Sequence, residues 1–321
     1  MFLKRKFGLI ALAAVTAFVF ASCPGKPGTK PALPIEMVWV PGGVFELGRE
    51  INPDNPVLDW YHHIFGTDWT GDVTPVSTVT LTGFWMGRFA VTQGQFEDVM
   101  GFNPSYFTGE TNRDNIPVTG VNRRNLPVED IGWHYAIVFA NRLSIKNGLT
   151  PAYEIPTEAD ENVWSTNPDT WGEIPRVLSY WTEPVFARLN SVRIVSGSTG
   201  YRLPTEAQWE FAAKGGASAA TGFMFPGSDN ADDVAWHLGN SGLRTHEVGL
   251  LAANCLGLYD MSGNVWEAEA KTDPTGPPSG SRRMARGGSW GDFQTRSVDR
   301  FENRFEIGMK TESFGFRLVR P

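Results

Sequence analysis

A chain of 321 residues, 41% hydrophobic and 20% charged, has room for one large domain or two small ones with a sizeable core. Its 35 Gly, 22 Pro and 12 Trp, with few long apolar runs, speak against a helical bundle and for many turns around an aromatic-rich interior. A net charge of −7 argues against nucleic acid as the main partner.

Residues 1–22 read as a secretory signal rather than as part of the fold. Lys4, Arg5 and Lys6 precede an apolar stretch, Phe7 to Phe20, and small residues lead to Cys23. That stretch is too short for a comfortable membrane span. Phe20-Ala21-Ser22-Cys23 resembles a bacterial lipobox, with Phe20 where Leu is usual. Cleavage before Cys23 would leave its thiol to carry a diacylglycerol. Residues 23–34, with PGKPGTKPALP after the cysteine, read as an extended tether. Losing three cations leaves 25 Lys and Arg against 35 Asp and Glu, a net of −10. The charge is uneven, since Arg282 to Pro321 holds nine Lys or Arg and five Asp or Glu. With Cys23 lipidated, Cys255 has no internal partner and reads as a small buried residue, so core burial must supply stability.

The fold is expected over residues 35–321. Met37 to Gly48, MVWVPGGVFELG, alternates apolar and polar around Pro-Gly-Gly and reads as a hairpin. Residues 54–72 read as a loop, and Val79 to Ala90 as one or two strands. Thr92 is placed to cap a short helix, Gln93 to Met100. Pro127 to Asp130 reads as the first turn of a longer helix reaching about Lys146, with Gly148 at its exit. Residues 150–199, rich in Pro, Trp and Asn, read as an insertion. In GYRLPTEAQWEFAAKGG, Gly200 to Gly216, Thr205 and Gln208 make a capping box and Gly215 ends the helix. Two main helices among short strands and much irregular chain make an α+β domain. No repeat is visible, and no boundary beyond the tether.

The words PGGVFELG, FAVTQGQFEDVM, PVEDIGWHYAIVFANRLS, GYRLPTEAQWEFAAKGG, VGLLAANCLGLYDMSGNVWE, RGGSW and GFRLV run collinearly from about Ile35 to Val319. In them the chain resembles the formylglycine-generating enzyme (sulfatase-modifying factor) family. The resemblance implies a variant C-type-lectin-like fold with short sheets, two main helices and much irregular structure. The enzyme of that family uses copper and a cysteine pair shortly after the RGGS word. Thiolates bind Cu(I) and exchange with a substrate thiol. Here RGGSWGDFQTRSVDR, Arg286 to Arg300, has no cysteine, so that chemistry does not carry over. A second branch works beside an iron-dependent partner with an HxxxHxE pattern. The five histidines here, His62, His63, His134, His237 and His246, show no i,i+4 pair. No phosphate loop or zinc spacing is present, and Ser289 in GGSW has no fitting His or Asp partner by motif.

A third branch consists of display proteins diversified by retroelements at adenines of Asn-rich codons, between RGGSW and GFRLV. Here Arg286 to Trp290 and Gly315 to Val319 keep that frame. The Asn-rich filling is replaced by residues mostly reachable from AAC or AAT. The resemblance therefore implies a surface lipoprotein with a variable region over about 265–321. The expected ligand-binding residues are Ala285, Gly291, Asp292, Phe293, Gln294, Arg296, Asp299, Phe301 and Phe314. Asp292 and Arg296 would supply polar contacts and the Phe rings apolar ones, on a backbone anchored by Trp266 and Trp290. The family's calcium word would correspond to Asp260, Gly263, Val265 and Glu267, two carboxylates and two carbonyls suited to a hard cation. No cofactor is required beyond such a structural calcium. The expected partners are a protein or surface ligand and, through the lipid, a membrane of the cell envelope, facing outward. The alternatives are a degenerate oxidase using Cys255 or a metal, and an envelope protein with a fixed partner.

Overall fold

The computed structural model describes residues 35–48, 77–174, 183–217, 223–270, 282–294, 302–306 and 310–321, with backbone alone at 183, 186, 282 and 302–306. The signal, the tether with Cys23, the 54–72 loop, Arg296, Asp299, Phe301 and the Phe305 side chain lie outside what is described.

Two strands come from the first apolar word, but they do not pair with each other. β1 (Met37–Val40) and β2 (Gly43–Leu47) part at the Pro-Gly-Gly turn. β1 pairs antiparallel with β4 (Phe84–Gly87), and β2 with β3 (Ser77–Leu81). The expected hairpin is thus replaced by two separate pairings. Gly42 sits so close to the chain that a Cβ would lie 2.5 Å from the Leu81 carbonyl oxygen. The glycine turn therefore allows β1 and β2 to leave for different sheets. β14 (Val319–Arg320) lies on the other side of β4 and completes a three-stranded sheet.

Helix α1 (Gln93–Met100) begins where the capping signal placed it. Thr92 and Gln95 satisfy each other's backbone N–H groups, and Gly101 exits left-handed. Helix α2 (Trp133–Lys146) starts six residues later than Pro127 suggests. Asp130 has a left-handed φ of 56°, and the Glu129 side chain is taken up by the loop before it. A first turn over Pro127–Asp130 is therefore impossible. The 150–199 stretch is no appendage. β5 (Tyr153–Pro156), β6 (Trp164–Ser165) and β7 (Arg193–Ile194) form a sheet, with α3 (Glu183–Asn190) before β7. Tyr153 and Ile155 are buried in the main core with α1, α2, Phe316 and Leu318. Helix α4 (Glu206–Ala213) carries the second capping box, Thr205 with Gln208. Its Trp209, Phe211 and Ala212 pack with Val40, Phe84 and Met86 in a second cluster. A short α5 (Ala231–Val234) runs into β8 (Ala235–Trp236), which pairs parallel with β9 (Ser262–Gly263).

The C-terminal third builds a four-stranded sheet in the order β12-β11-β10-β13. β10 (Trp266–Ala268) is antiparallel to β11 (Arg282–Arg286) and parallel to β13 (Phe314–Gly315), and β12 (Glu302–Glu306) forms the edge. After β11 the chain passes through Gly287 and Gly288 at φ 96° and 75°, where a side chain would be strained. That turn buries Trp290 and delivers the residues after it to the surface.

Candidate functional site

The two arginines of the frame are buried, and each is held by carboxylates. Arg286 on β11 meets Glu206 at 3.0 Å and Glu210 at 3.1 Å, both on α4, and Glu269 beyond β10 at 2.9 Å. Arg317 donates from Nε and Nη2 to the two Glu267 oxygens at 2.5 Å, a bidentate pair on β10. Its remaining N–H groups reach the Gly87 and Tyr259 carbonyls at 3.1 and 2.9 Å. Trp209 adds a 2.7 Å bond to Glu267. The basic excess of the C-terminal segment is therefore partly internal, since Arg283, Arg286 and Arg317 are all buried.

The same contacts decide how the calcium word fits. Both Glu267 oxygens already face the Arg317 guanidinium, and Arg317 also reaches the Asp260 carbonyl at 3.3 Å. The Asp260 carboxylate accepts the Gly249 N–H at 2.8 Å, and burial pushes its pKa up to about 6. Among the described residues no group of three or more His, Cys, Asp or Glu could hold a metal ion. Asp260, Gly263, Val265 and Glu267 thus do not suit calcium as they stand, because a guanidinium already supplies the positive charge there.

Beyond Gly288 the chain makes a tight turn whose base is fixed. Trp290 is buried; its backbone N–H donates to the Asn264 carbonyl at 3.0 Å and its indole N–H to the Glu312 carbonyl at 2.9 Å. The Ser241 hydroxyl donates to the Trp290 carbonyl at 2.8 Å. Asp292 is bonded into the turn as a strut. Its carboxylate accepts the Trp266 indole N–H at 2.7 Å and the Ser289 hydroxyl at 2.5 Å, and its carbonyl accepts the Leu238 N–H at 2.8 Å. Two other expected binding residues are core residues. Ala285 is 0% exposed on the central strand β11, and Phe314 is 5% exposed within the main cluster. A strand with neighbours on both sides, packed on a helical layer, leaves such side chains no outlet.

Three of the expected residues do reach solvent. Phe293 is 49% exposed, and Gln294 beside it is exposed. A side chain at Gly291 would meet nothing within 4 Å. Around them stand residues that the sequence reading missed. The Leu238 backbone is bonded to Asp292, and its side chain is exposed. Phe107 meets the Trp290 ring edge-on at 5.2 Å, and exposed Tyr106 meets Phe107 at 5.0 Å. The Arg113 guanidinium lies over Trp290 at 5.8 Å and pairs with Glu312 at 3.3 Å. Tyr106 and Arg113 come from a loop some 180 residues upstream, and nothing local in that loop marks it as part of this surface. The result is a rim of Phe107, Tyr106 and Arg113 around Trp290, with outward-facing Gly291, Phe293 and Gln294 beside it.

The three described histidines, His134, His237 and His246, serve structure. His246 stacks on Trp236 at 3.7 Å, and burial pulls its pKa down to about 4; burial does the same to His134, to about 3. His237 faces Asp232 at 2.9 Å. Cys255 corrects its expectation, because it is exposed in a turn rather than buried. The sequence holds one other cysteine, Cys23, outside the described residues.

Short sheets, few helices and a long irregular C-terminal frame define a mixed α/β, C-type-lectin-like domain of the formylglycine-generating-enzyme type. A family model, the sulfatase-modifying factor enzyme 1-like domain, matches residues 24–321, and the chain belongs to that family. The chain is 36% identical to the chaperone protein LppX of Paenibacillus barcinonensis, over 75% of this chain and 81% of that protein. It is 27% identical to the formylglycine-generating enzyme of Thermomonospora curvata, over 86% and 87% of the two chains. Among solved structures it is similar to Treponema denticola variable protein 1, with a TM-score of 0.68 and 29% identity, covering 93% of this chain and 99% of that one.

Proposed function

We propose that the domain binds a macromolecular ligand through the face around Trp290 and is a non-catalytic member of its family. The observation that carries this reading is a contrast of neighbours. Trp290 and Asp292 are bonded into the interior, while Gly291, Phe293 and Gln294 beside them face outward. A rigid backbone with replaceable side chains is what a recognition surface needs. Exposed Phe, Tyr and Arg have the composition of contact hot spots. Likeness to a variable protein and to a chaperone supports binding over turnover. Arg296, Asp299 and Phe301 belong to the same proposal by sequence alone.

In this proposal the C-terminal region is diversified by a retroelement, and the protein is displayed on the cell envelope by a lipid on Cys23. Sequencing the codons for residues 265–321 across lineages tests diversification. Substitutions confined to outward codons, matching adenines of a template copy, are expected; uniform codons would overturn it. Lipidation and a bridge to Cys255 exclude each other at Cys23, because both consume its sulfur. Mass spectrometry of the native protein is expected to find a diacylglyceryl Cys23, and a Cys23–Cys255 peptide pair in a non-reduced digest would contradict it. Copper binding with thiol consumption would revive the oxidase reading.

A further inference from the structure

The sheet β1-β4-β14 has one face in the core and one face outward. Val40, Phe84, Met86 and Val319 are buried in the second cluster, and Val38 packs against it. Alternation along each strand turns Trp39, Trp85 and Arg320 the other way. The register sets these three side by side in one row, because Trp39 and Arg320 each lie opposite Trp85. The two indoles meet edge to face, with centroids 5.4 Å apart and planes at 60°. Trp39 is 46% exposed, and Trp85 and Arg320 are partly exposed. A Cβ at Gly83 would lie 2.4 Å from the Trp39 ring, so the glycine leaves this outward indole its place. Among the described residues Arg320 has no carboxylate partner, and its Nε is buried without a hydrogen-bond acceptor.

Indole and guanidinium side chains gather where an apolar layer meets charged headgroups, since each has an apolar body and a polar tip. The length of chain before the sheet brings such a layer close. Cys23 lies fourteen residues before Met37, where β1 begins. Fully extended, that stretch reaches at most about 50 Å, and as a random coil it averages roughly 20 Å. A lipid on Cys23 would therefore hold β1 beside the bilayer at an effective concentration on the order of millimolar. At that concentration a small patch is occupied even though it would not hold a free protein. Lys26 and Lys30 are the only charges from Cys23 to Ile35, so nothing acidic in that stretch opposes anionic headgroups.

We propose that the Trp39–Trp85–Arg320 row seats the domain on the bilayer that holds the Cys23 lipid, with the indoles at the apolar boundary and Arg320 on a lipid phosphate. The inference rests on the reading of Cys23 as the lipidated residue. Such a seat gives the outward turn after Trp290 a fixed attitude to the cell surface, where a tether alone would let it swing.

The test uses the mature chain, residues 23–321, coupled through Cys23 to a maleimide lipid in phosphatidylcholine–phosphatidylglycerol vesicles. Cys255→Ser keeps the exposed second cysteine from reacting. The coupling probes the seat whether or not the native cysteine carries lipid. Brominated acyl chains quench indoles that reach the apolar boundary. Two of the 12 Trp lie in the row, so about a sixth of the emission is expected to be lost. Trp39→Ala together with Trp85→Ala is expected to abolish that quenching, and Arg320→Gln to weaken it. No quenching in the unsubstituted chain, or equal quenching in the double variant, would overturn the proposal. So would emission that follows protein density and ignores bromine, because a second copy would then cover the row. If the double variant does not fold, Trp39→Ala alone carries the test, with about half the effect. The lipid reading fails separately, through mass spectrometry that finds no diacylglyceryl Cys23, whatever the quenching gives.

Discussion

The words RGGSW and GFRLV meet one four-stranded sheet at Arg286 and Gly315, and they and the turn after the first obey opposite rules. In the words, Arg286 and Arg317 lie fully buried among Glu206, Glu210, Glu269 and Glu267, and their bonds tie the two words to α4, to β10 and the residue just beyond it, and to the Gly87 and Tyr259 carbonyls. In the turn, Gly291, Phe293 and Gln294 face solvent within a few residues of those anchors. Buried ion pairs are weak devices for raw stability, yet they are costly to leave half-made, so they fix one arrangement of the chain. The contrast places a bonded frame directly beside outward side chains that carry none of it.

The largest expected effect is on the anchors. Arg286→Ala or Arg317→Ala leaves carboxylates buried without their guanidinium and should lower stability by about 3–5 kcal/mol, read from urea melts. If either variant melted like wild type, the frame would not be what holds the region. Phe314→Ala should cost a similar ~3–5 kcal/mol, because it empties a core site on β13. Phe293→Ala, in the turn, should stay within about 0.5 kcal/mol. Equal losses for the two phenylalanines would erase the distinction between core and display. Asp292→Ala should fall between them, at about 1–3 kcal/mol, because the Trp266 indole N–H loses its acceptor.

Acid gives a fourth test, of the interior alone. His246 and His134 are held neutral by burial, at about 4 and about 3. Below pH 6.5 the unfolded chain takes up protons that the folded one refuses, so stability should fall as pH drops from 6.5 toward 4. The slope should reach about 1.4 kcal/mol per pH unit for each histidine. Melts between pH 4 and 7 measure it, and a flat profile would mean that neither ring is buried. The smallest effect is expected at Gly291→Tyr. A side chain there enters open space, and the melting midpoint should move by no more than about 0.5 kcal/mol equivalent. A large loss would mean that the turn cannot accept replacement and would remove the display reading.

Local signals in the chain were dependable where one residue's chemistry closes on its near neighbours. The Thr92–Gln95 and Thr205–Gln208 boxes, the two strands of the Val79–Ala90 stretch and the burial of Trp266 and Trp290 all stand as the residues imply. The exposure of Phe293, beside Gly291 and Asp292, was equally legible. Pairing and burial across long separations were not. Whether Met37–Gly48 closes on itself depended on strands forty residues away. The burial of Ala285 and Phe314 depended on their being on strands flanking β10, and their residue types also suit an exposed patch. Glu129 reads as a helix opener until the 103–107 loop arrives to use its oxygens. Arg286 and Arg317 count as surface charge until four glutamates from two other segments surround them. Capping, turn chemistry and word order are written within a few residues, so the chain alone sets them. Which charge meets which, and which ring is left outside, is settled only when segments some 20 to 230 residues apart are packed together and water is removed between them.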